Sequence, residues 1–122
     1  VQSFYLRLLR VLSDPVFRSG EWRVLPVRPA WHDNYSSHNC IAHWWRAAGE
    51  GDRFVMVNYA PHSAQCYVDV PVGEFKGGTV EFVDEMGTVV YHRDLQGLRA
   101  KGMYFDLPPY GFHIFRVKDL RK

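Results

Sequence analysis

The chain has no apolar run close to the ~20 residues that a membrane-spanning helix requires, so no transmembrane segment is expected. Cysteine is scarce. Cys40 and Cys66 are the two present, too few for a disulfide framework in a chain of this length. Both fall in strand-like stretches, where a reduced, buried thiol is the ordinary outcome, and a bridge between them stays open. Charge of one sign is also lacking: 15 Lys+Arg stand against 13 Asp+Glu, a net of +2. Arg7, Arg10, Arg23, Arg28, Arg46 and Arg53 form no continuous run. That balance gives no reason to expect nucleic acid or a membrane surface as a partner. The N-terminus has no initiating Met, no basic flank and no small-residue cleavage site. The chain is therefore expected to be a piece of a longer protein.

Catalytic signatures are missing as well. There is no G-x-S-x-G, no H-E-x-x-H and no glycine-rich phosphate loop opening a helix. The glycines of GEFKGG, residues 73–78, fit a turn without the helix that a phosphate site needs. His32, His38 and His43 lie near Cys40, but at spacings that match no zinc motif. Asp84 and Glu85 are adjacent on a strand and point to opposite faces, so they are not a convergent acid pair for glycosidic chemistry. No catalytic residue, metal or cofactor is expected. Asn34-Tyr35-Ser36 has the form of a glycosylation sequon, a pattern short enough to arise by chance.

What is present is apolar and aromatic. The 122 residues are 47% hydrophobic and 16% aromatic, enough for the core of one domain. SFYLRLLRVLS, residues 3–13, carries Phe4, Leu8, Val11 and Leu12 at helical spacing, with Ser3 as N-cap and Asp14-Pro15 as the stop. Tyr5 and Leu9 widen its apolar surface, so the helix is expected to make contacts on two sides. After Gly20 the period becomes two. EWRVLPV, CIAHWWRA, RFVMVNYA, QCYVDV, TVEFVDE, TVVYHRD, MYFDL and GFHIFRV all alternate, with turn signals every ~8–12 residues. The fold class expected is all-β: an antiparallel Greek-key sandwich of seven or eight strands with one N-terminal helix. A hairpin is expected through Gly49-Glu50-Gly51-Asp52 and another through Met86-Gly87. Trp31, Tyr35, Trp44 and Trp45 are candidate sugar or domain-interface contacts. Of the adjacent pair Trp44 and Trp45, one must face inward and the other outward. In DLPPYGFHIFRV, Pro108 and Pro109 mark the start of a closing strand. Tyr110 is expected to plug the sandwich end, and His113 to be packed without an acid partner.

Taken in order, these segments resemble the C-terminal β-sandwich of the α-amylase family of glycoside hydrolases, family thirteen. FYLRLLRVLSDPVFRSGEWRVL resembles the last helix of the catalytic barrel running into the first strand of that domain. RPAWHDNYSSHNCIAHWWR and RFVMVNYAPHSAQCYVDVP are similar to the stretches that follow, and DLPPYGFHIFRV to the closing strand. The resemblance implies that residues 1–19 are the terminal helix and linker of an absent barrel, and 20–122 the sandwich. It implies a non-catalytic domain whose partner is the (β/α)8 barrel of the same polypeptide, docked through Phe4, Leu8 and Leu12. An α-glucan is the alternative partner, and free-standing protein association a third reading. The bacterial members it resembles imply a bacterial cytoplasmic setting. A barrel needs ~250 residues, so its acids cannot lie in this chain.

Overall fold

A computed structural model of the chain describes residues 2–46 and 51–120. Two antiparallel sheets stack face to face as a β-sandwich. Among the described residues there are nine strands, one or two more than the sequence suggests. One sheet has six strands in the order β1 (Glu21–Val24), β3 (Cys40–Arg46), β4 (Asp52–Asn58), β9 (Phe112–Leu120), β6 (Thr79–Asp84) and β7 (Val90–Asp94). The other has three: β2 (Val27–Pro29), β5 (Ala64–Val68) and β8 (Met103–Leu107). The extra strand arises because EWRVLPV is not one strand but two. Pro26 lacks an N–H and cannot continue the ladder. Leu25 still donates to Ala42 O at 2.9 Å in one sheet, while the Pro26 carbonyl accepts from Asp69 N at 3.2 Å beside the other. The chain therefore changes layers at this proline.

The expected hairpins form. β3 pairs with β4, from Cys40 opposite Asn58 to Trp45 opposite Arg53; the expected turn residues Gly49 and Glu50 lie outside the described residues. β6 pairs with β7 across the Met86-Gly87 turn. Strand alternation sets the core: Trp44, Phe54, Met56, Phe82, Phe105 and Phe115 are buried between the sheets. The Trp44 indole N–H donates to Asp52 Oδ2 at 2.7 Å, which satisfies its one polar atom inside the core. Arg46 Nε lies 3.3 Å from the same oxygen.

Among the described residues three α-helices flank the sheets. α1 spans Gln2–Leu12, beginning one residue ahead of the expected Ser3 cap, and ends before Asp14-Pro15 as the proline requires. A four-residue turn of helix, α2 (Val16–Ser19), follows and buries Val16 completely. The third, α3 (Leu95–Lys101), corrects the expectation that no helix interrupts the strands. Asp94 caps it by accepting from Gly97 N at 3.0 Å, and Leu95 and Leu98 form its buried face. Gly102 ends it at φ +85°, and a Cβ there would lie 2.5 Å from the Val68 carbonyl, so glycine is required. The cap, the L-x-x-L spacing and the terminal glycine are all in the sequence. Gly97, a poor helix former, hid them.

The closing strand also differs from expectation. Tyr110 adopts φ 56° in a turn closed by Gly111 N donating to Pro108 O at 2.8 Å. That left-handed residue swings its ring outward, so Tyr110 is exposed and does not plug the sandwich end. His113 does have an acid partner: its Nδ1 lies 2.8 Å from Asp84 Oδ2. It stacks on Phe115, with ring centroids 4.8 Å apart. The sequence could not pair the two because β6 and β9 meet only through sheet topology. Among the described residues, no helix is long and apolar enough to cross a membrane.

Candidate functional site

The outer face of the six-stranded sheet is divided: it is charged over β6, β7 and the second half of β9, where Glu81 lies opposite His92 and Lys118, and Val83 opposite Arg116, and apolar over β1, β3, β4 and the start of β9. Alternation along β3 sends Cys40, Ala42 and Trp44 inward, and therefore Ile41, His43 and Trp45 outward. The registers align whole rows on that outer side. Val24, His43, Val55 and Ile114 form one; Ile41, Val57 and Phe112 form the next. A two-layer antiparallel sandwich normally presents a polar outer face to water. Here the half over β1, β3 and β4 is apolar on both sides.

Cover over this face is partial. Phe17 of α2 packs edge-on against Trp45, with centroids 5.1 Å apart. Phe4 of α1 does the same to Phe112 at 5.9 Å. Arg7 of α1 donates to the carbonyls of Glu85 and Gly87 at 3.1 and 3.4 Å. Ile114 is buried and Ile41, Val55, Val57 and Phe112 are half-buried, so the open part is the edge strand β1 together with α1. Trp22 is 51% exposed and Val24 is exposed beside it. The far side of α1 adds Tyr5, Leu6 and Leu9, the last 65% exposed. Trp22, His43 and Trp45 lie in a row with neighbouring ring planes inclined by 23° and 27°. The Trp22 indole N–H donates to His43 Nδ1 at 3.0 Å, which leaves the neutral ring's proton on Nε2. Burial lowers the His43 pKa below its ordinary value, so the row carries no charge at neutral pH.

A polar seam fixes the helical segment to the sheet. Arg53 is 1% exposed, and its guanidinium reaches Asp14 at 2.7 Å and Glu85 at 2.9 Å. The Asp14 carboxyl also accepts from Val16 N at 3.0 Å. That backbone hydrogen bond, followed by the Arg53 charge, holds Asp14 below the usual carboxylate range against the opposing effect of burial. A depressed folded-state pKa gives stability that is present above the unfolded value and lost as pH falls through the folded one. Asp14→Asn is therefore expected to lower the denaturation midpoint at pH 7. The gap from the unsubstituted chain should narrow as pH drops below about 4. A gap that stays constant down to pH 2 would contradict this role.

The residues singled out in the sequence separate into three places. Phe4 and Leu12 are exposed and Leu8 half-buried on α1, at the candidate face. Trp45 is half-buried on that face, whereas Trp44 is a core residue and no sugar or interface contact, because its indole is anchored inward on Asp52. Trp31 and Tyr35 are 55% and 67% exposed on the loop after β2. Asn34 and Ser36 tie that loop to Gln65 of β5, so it belongs to the three-stranded layer, away from Trp45. Trp22 and His43 are members of the face that sequence reasoning did not single out, whereas Leu9 belongs to the apolar helix surface already expected. The signal for Trp22 and His43 is cross-strand: only the β1–β3 register places Trp22 opposite Trp45.

Among the described residues no catalytic constellation emerges beside this face. Asp84 points inward to His113, while Glu85 points outward to Arg53, as adjacent strand residues should. An open cleft of about 750 Å³ lies between α1 and the turn after β6, lined by Arg7, Arg10, Asp14, Glu85 and Arg116 among others. Its two carboxylates are engaged by arginines, Asp14 by Arg53 and Glu85 by Arg53 and Arg116. Among the described residues, no group of three His, Cys, Asp or Glu side chains is placed to hold a metal ion. No protein-family model matches the chain, and no curated protein matches it.

Proposed function

We propose that this chain is the non-catalytic C-terminal sandwich of an α-amylase-like glycoside hydrolase or transglycosidase. Its outer face and α1 then pack against the (β/α)8 barrel of the same polypeptide. One observation carries the reading: over β1, β3, β4 and the start of β9 the six-stranded sheet is apolar on both faces, and that part of its outer face is only partly covered by α1 and α2. Burying apolar surface yields ~25 cal/mol per Å², so a third layer laid on Trp22, Val24 and Leu9 is favoured. The barrel is the layer that the sequence resemblance supplies.

The isolated chain should bind a hydrophobic dye and self-associate through the uncovered face. A Leu9→Glu, Trp22→Ser double variant should lose most of the dye signal and sediment as a monomer. Both sites are exposed, so the unfolding free energy should change by no more than about 1 kcal/mol. A parent chain that is monomeric and dark to the dye would remove the basis for this reading.

The exposure of Trp31 and Tyr35 favours a second reading, an α-glucan-binding module, since uncovered aromatic rings stack on sugars. Titration with maltooligosaccharides, followed by tryptophan fluorescence, separates the two. A saturable change abolished by Trp31→Ala supports glucan binding. No change at high millimolar sugar rejects it.

A further inference from the structure

β1 is an edge of the six-stranded sheet: β3 pairs with one side of it, and among the described residues no strand pairs with the other. Leu25 N donates to Ala42 O at 2.9 Å. Hydrogen bonding alternates along an antiparallel strand, so Arg23 and Glu21 also bond toward β3. Trp22 and Val24 therefore turn their N–H and C=O groups to the open side. Such an edge is a template for a further strand. The Trp22 ring does not shield it, because its indole N–H is bonded back to His43 of β3. Arg23 lies opposite Trp44, so Arg23 and Glu21 project on the inner side of the sheet. Both are exposed, and neither is ion-paired among the described residues. Arg46, opposite Glu21, is turned to Asp52 instead. Charges on an edge normally repel a second strand. Here they are of opposite sign and two residues apart, which makes the edge complementary to itself.

We propose that β1 pairs antiparallel with β1 of a second copy of this chain, about a two-fold axis at Trp22, and joins two six-stranded sheets into one. The open-side groups of Trp22 and Val24 bond only in registers that set even-numbered residues opposite even-numbered ones. One such register places Trp22 opposite Trp22 of the second copy. Glu21 then faces Arg23 of the second copy on both sides of the axis. The two Trp22 residues exchange N–H···O bonds, and each Val24 N–H meets the Gly20 carbonyl of the other copy. A step either way sets Glu21 against Glu21 or Arg23 against Arg23, which is unfavourable. Further slippage toward Leu25 meets Pro26, which has no N–H. Charge thus selects one register, and the contact is isologous and closed. It lies in the plane of the sheet and leaves the outer face available to a third layer.

Sedimentation equilibrium of this chain, over a concentration series reaching high micromolar, should show a monomer–dimer equilibrium. Glu21→Arg and Arg23→Glu each set like charges opposite one another and should weaken the dimer at least about tenfold. An equal mixture of the two variants should dimerise again, since one offers two arginines to the two carboxylates of the other. The double variant that exchanges the charges should recover the homodimer, which separates lost pairing from lost folding. Amide exchange at Trp22 and Val24 should slow as concentration rises, while Arg23 stays unchanged. None of these charge changes should alter dye binding, which reads the outer face. A chain that binds the dye yet stays monomeric would overturn this proposal and leave the docking of a third layer standing. A dimer indifferent to both charge reversals, or a variant mixture that stays monomeric, would overturn it as well.

Discussion

Phe54→Ala is expected to lower the unfolding free energy by about 4 kcal/mol and the melting temperature by roughly 15 °C. Phe54 is fully buried at the centre of the sandwich. Its ring meets four others, with centroids at 5.4 Å to Trp44, 5.8 Å to Phe105, 5.9 Å to Phe115 and 6.3 Å to Phe82. Those partners come from β3, β8, β9 and β6, so the residue joins both layers. Truncation loses the transfer energy of the ring and leaves a cavity that aromatic neighbours on four different strands cannot collapse to fill. Phe54→Leu retains most of the volume and should cost about half as much. Urea denaturation monitored by circular dichroism measures both. Equal, small losses for the two variants would mean that the two sheets do not meet at this ring.

The second large effect is expected at Asn58, which is fully buried at the end of β4. Its amide Nδ2 donates to the carbonyls of His62, Pro108 and Leu107 at 2.8, 3.0 and 3.5 Å. Its Oδ1 accepts from Ala60 N at 3.0 Å. One side chain thus holds the loop after β4 against the Pro108–Gly111 turn that launches β9. Asn58→Ala strands a buried donor and several acceptors and should cost about 3 kcal/mol. Asn58→Asp keeps the acceptor for Ala60 but points a carboxylate at three carbonyls. The folded state then favours the protonated acid, so its folded pKa rises above the unfolded value. That variant should lose stability as pH climbs through the raised pKa, the reverse of ordinary acid denaturation. A flat pH profile for Asn58→Asp between pH 4 and 8 would show that the clasp is not closed in solution.

Much of the sandwich is legible in the sequence because each strand carries its own period. CIAHWWR and RFVMVN alternate cleanly and pair as that alternation demands. The stop at Asp14-Pro15 and the Met86-Gly87 turn are equally local. The missed features are of two kinds. Some are local signals in conflict: α3 has its cap and its stop, but Gly97 breaks the propensity between them, and Pro26 divides a run whose alternation looks continuous. The others are non-local. The partnership of His113 with Asp84 requires β9 to return beside β6, and no spacing in the chain announces that return.

The candidate face divides in the same way. Phe4, Leu8 and Leu12 are visible as a helical stripe, and Trp45 as an outward member of a strand pair. Trp22 looks like an ordinary inward strand residue until the register sets it beside His43 and Trp45 on the outer side. Trp44 misleads in the opposite sense. Tryptophan is often an interface residue, but here the buried carboxylate of Asp52 satisfies its N–H and retains it in the core.

The account depends on the outer face being a docking surface for a third layer. Hydroxyl-radical footprinting tests that most directly, comparing this chain alone with a longer polypeptide in which the proposed barrel precedes it. Labelling of Leu9 and Trp22 should fall several-fold in the longer polypeptide, while Trp31 and Tyr35, on the other layer, should label equally in both. Undiminished labelling of Leu9 and Trp22 would contradict the account, and protection confined to Trp31 and Tyr35 would place the interface on the wrong sheet.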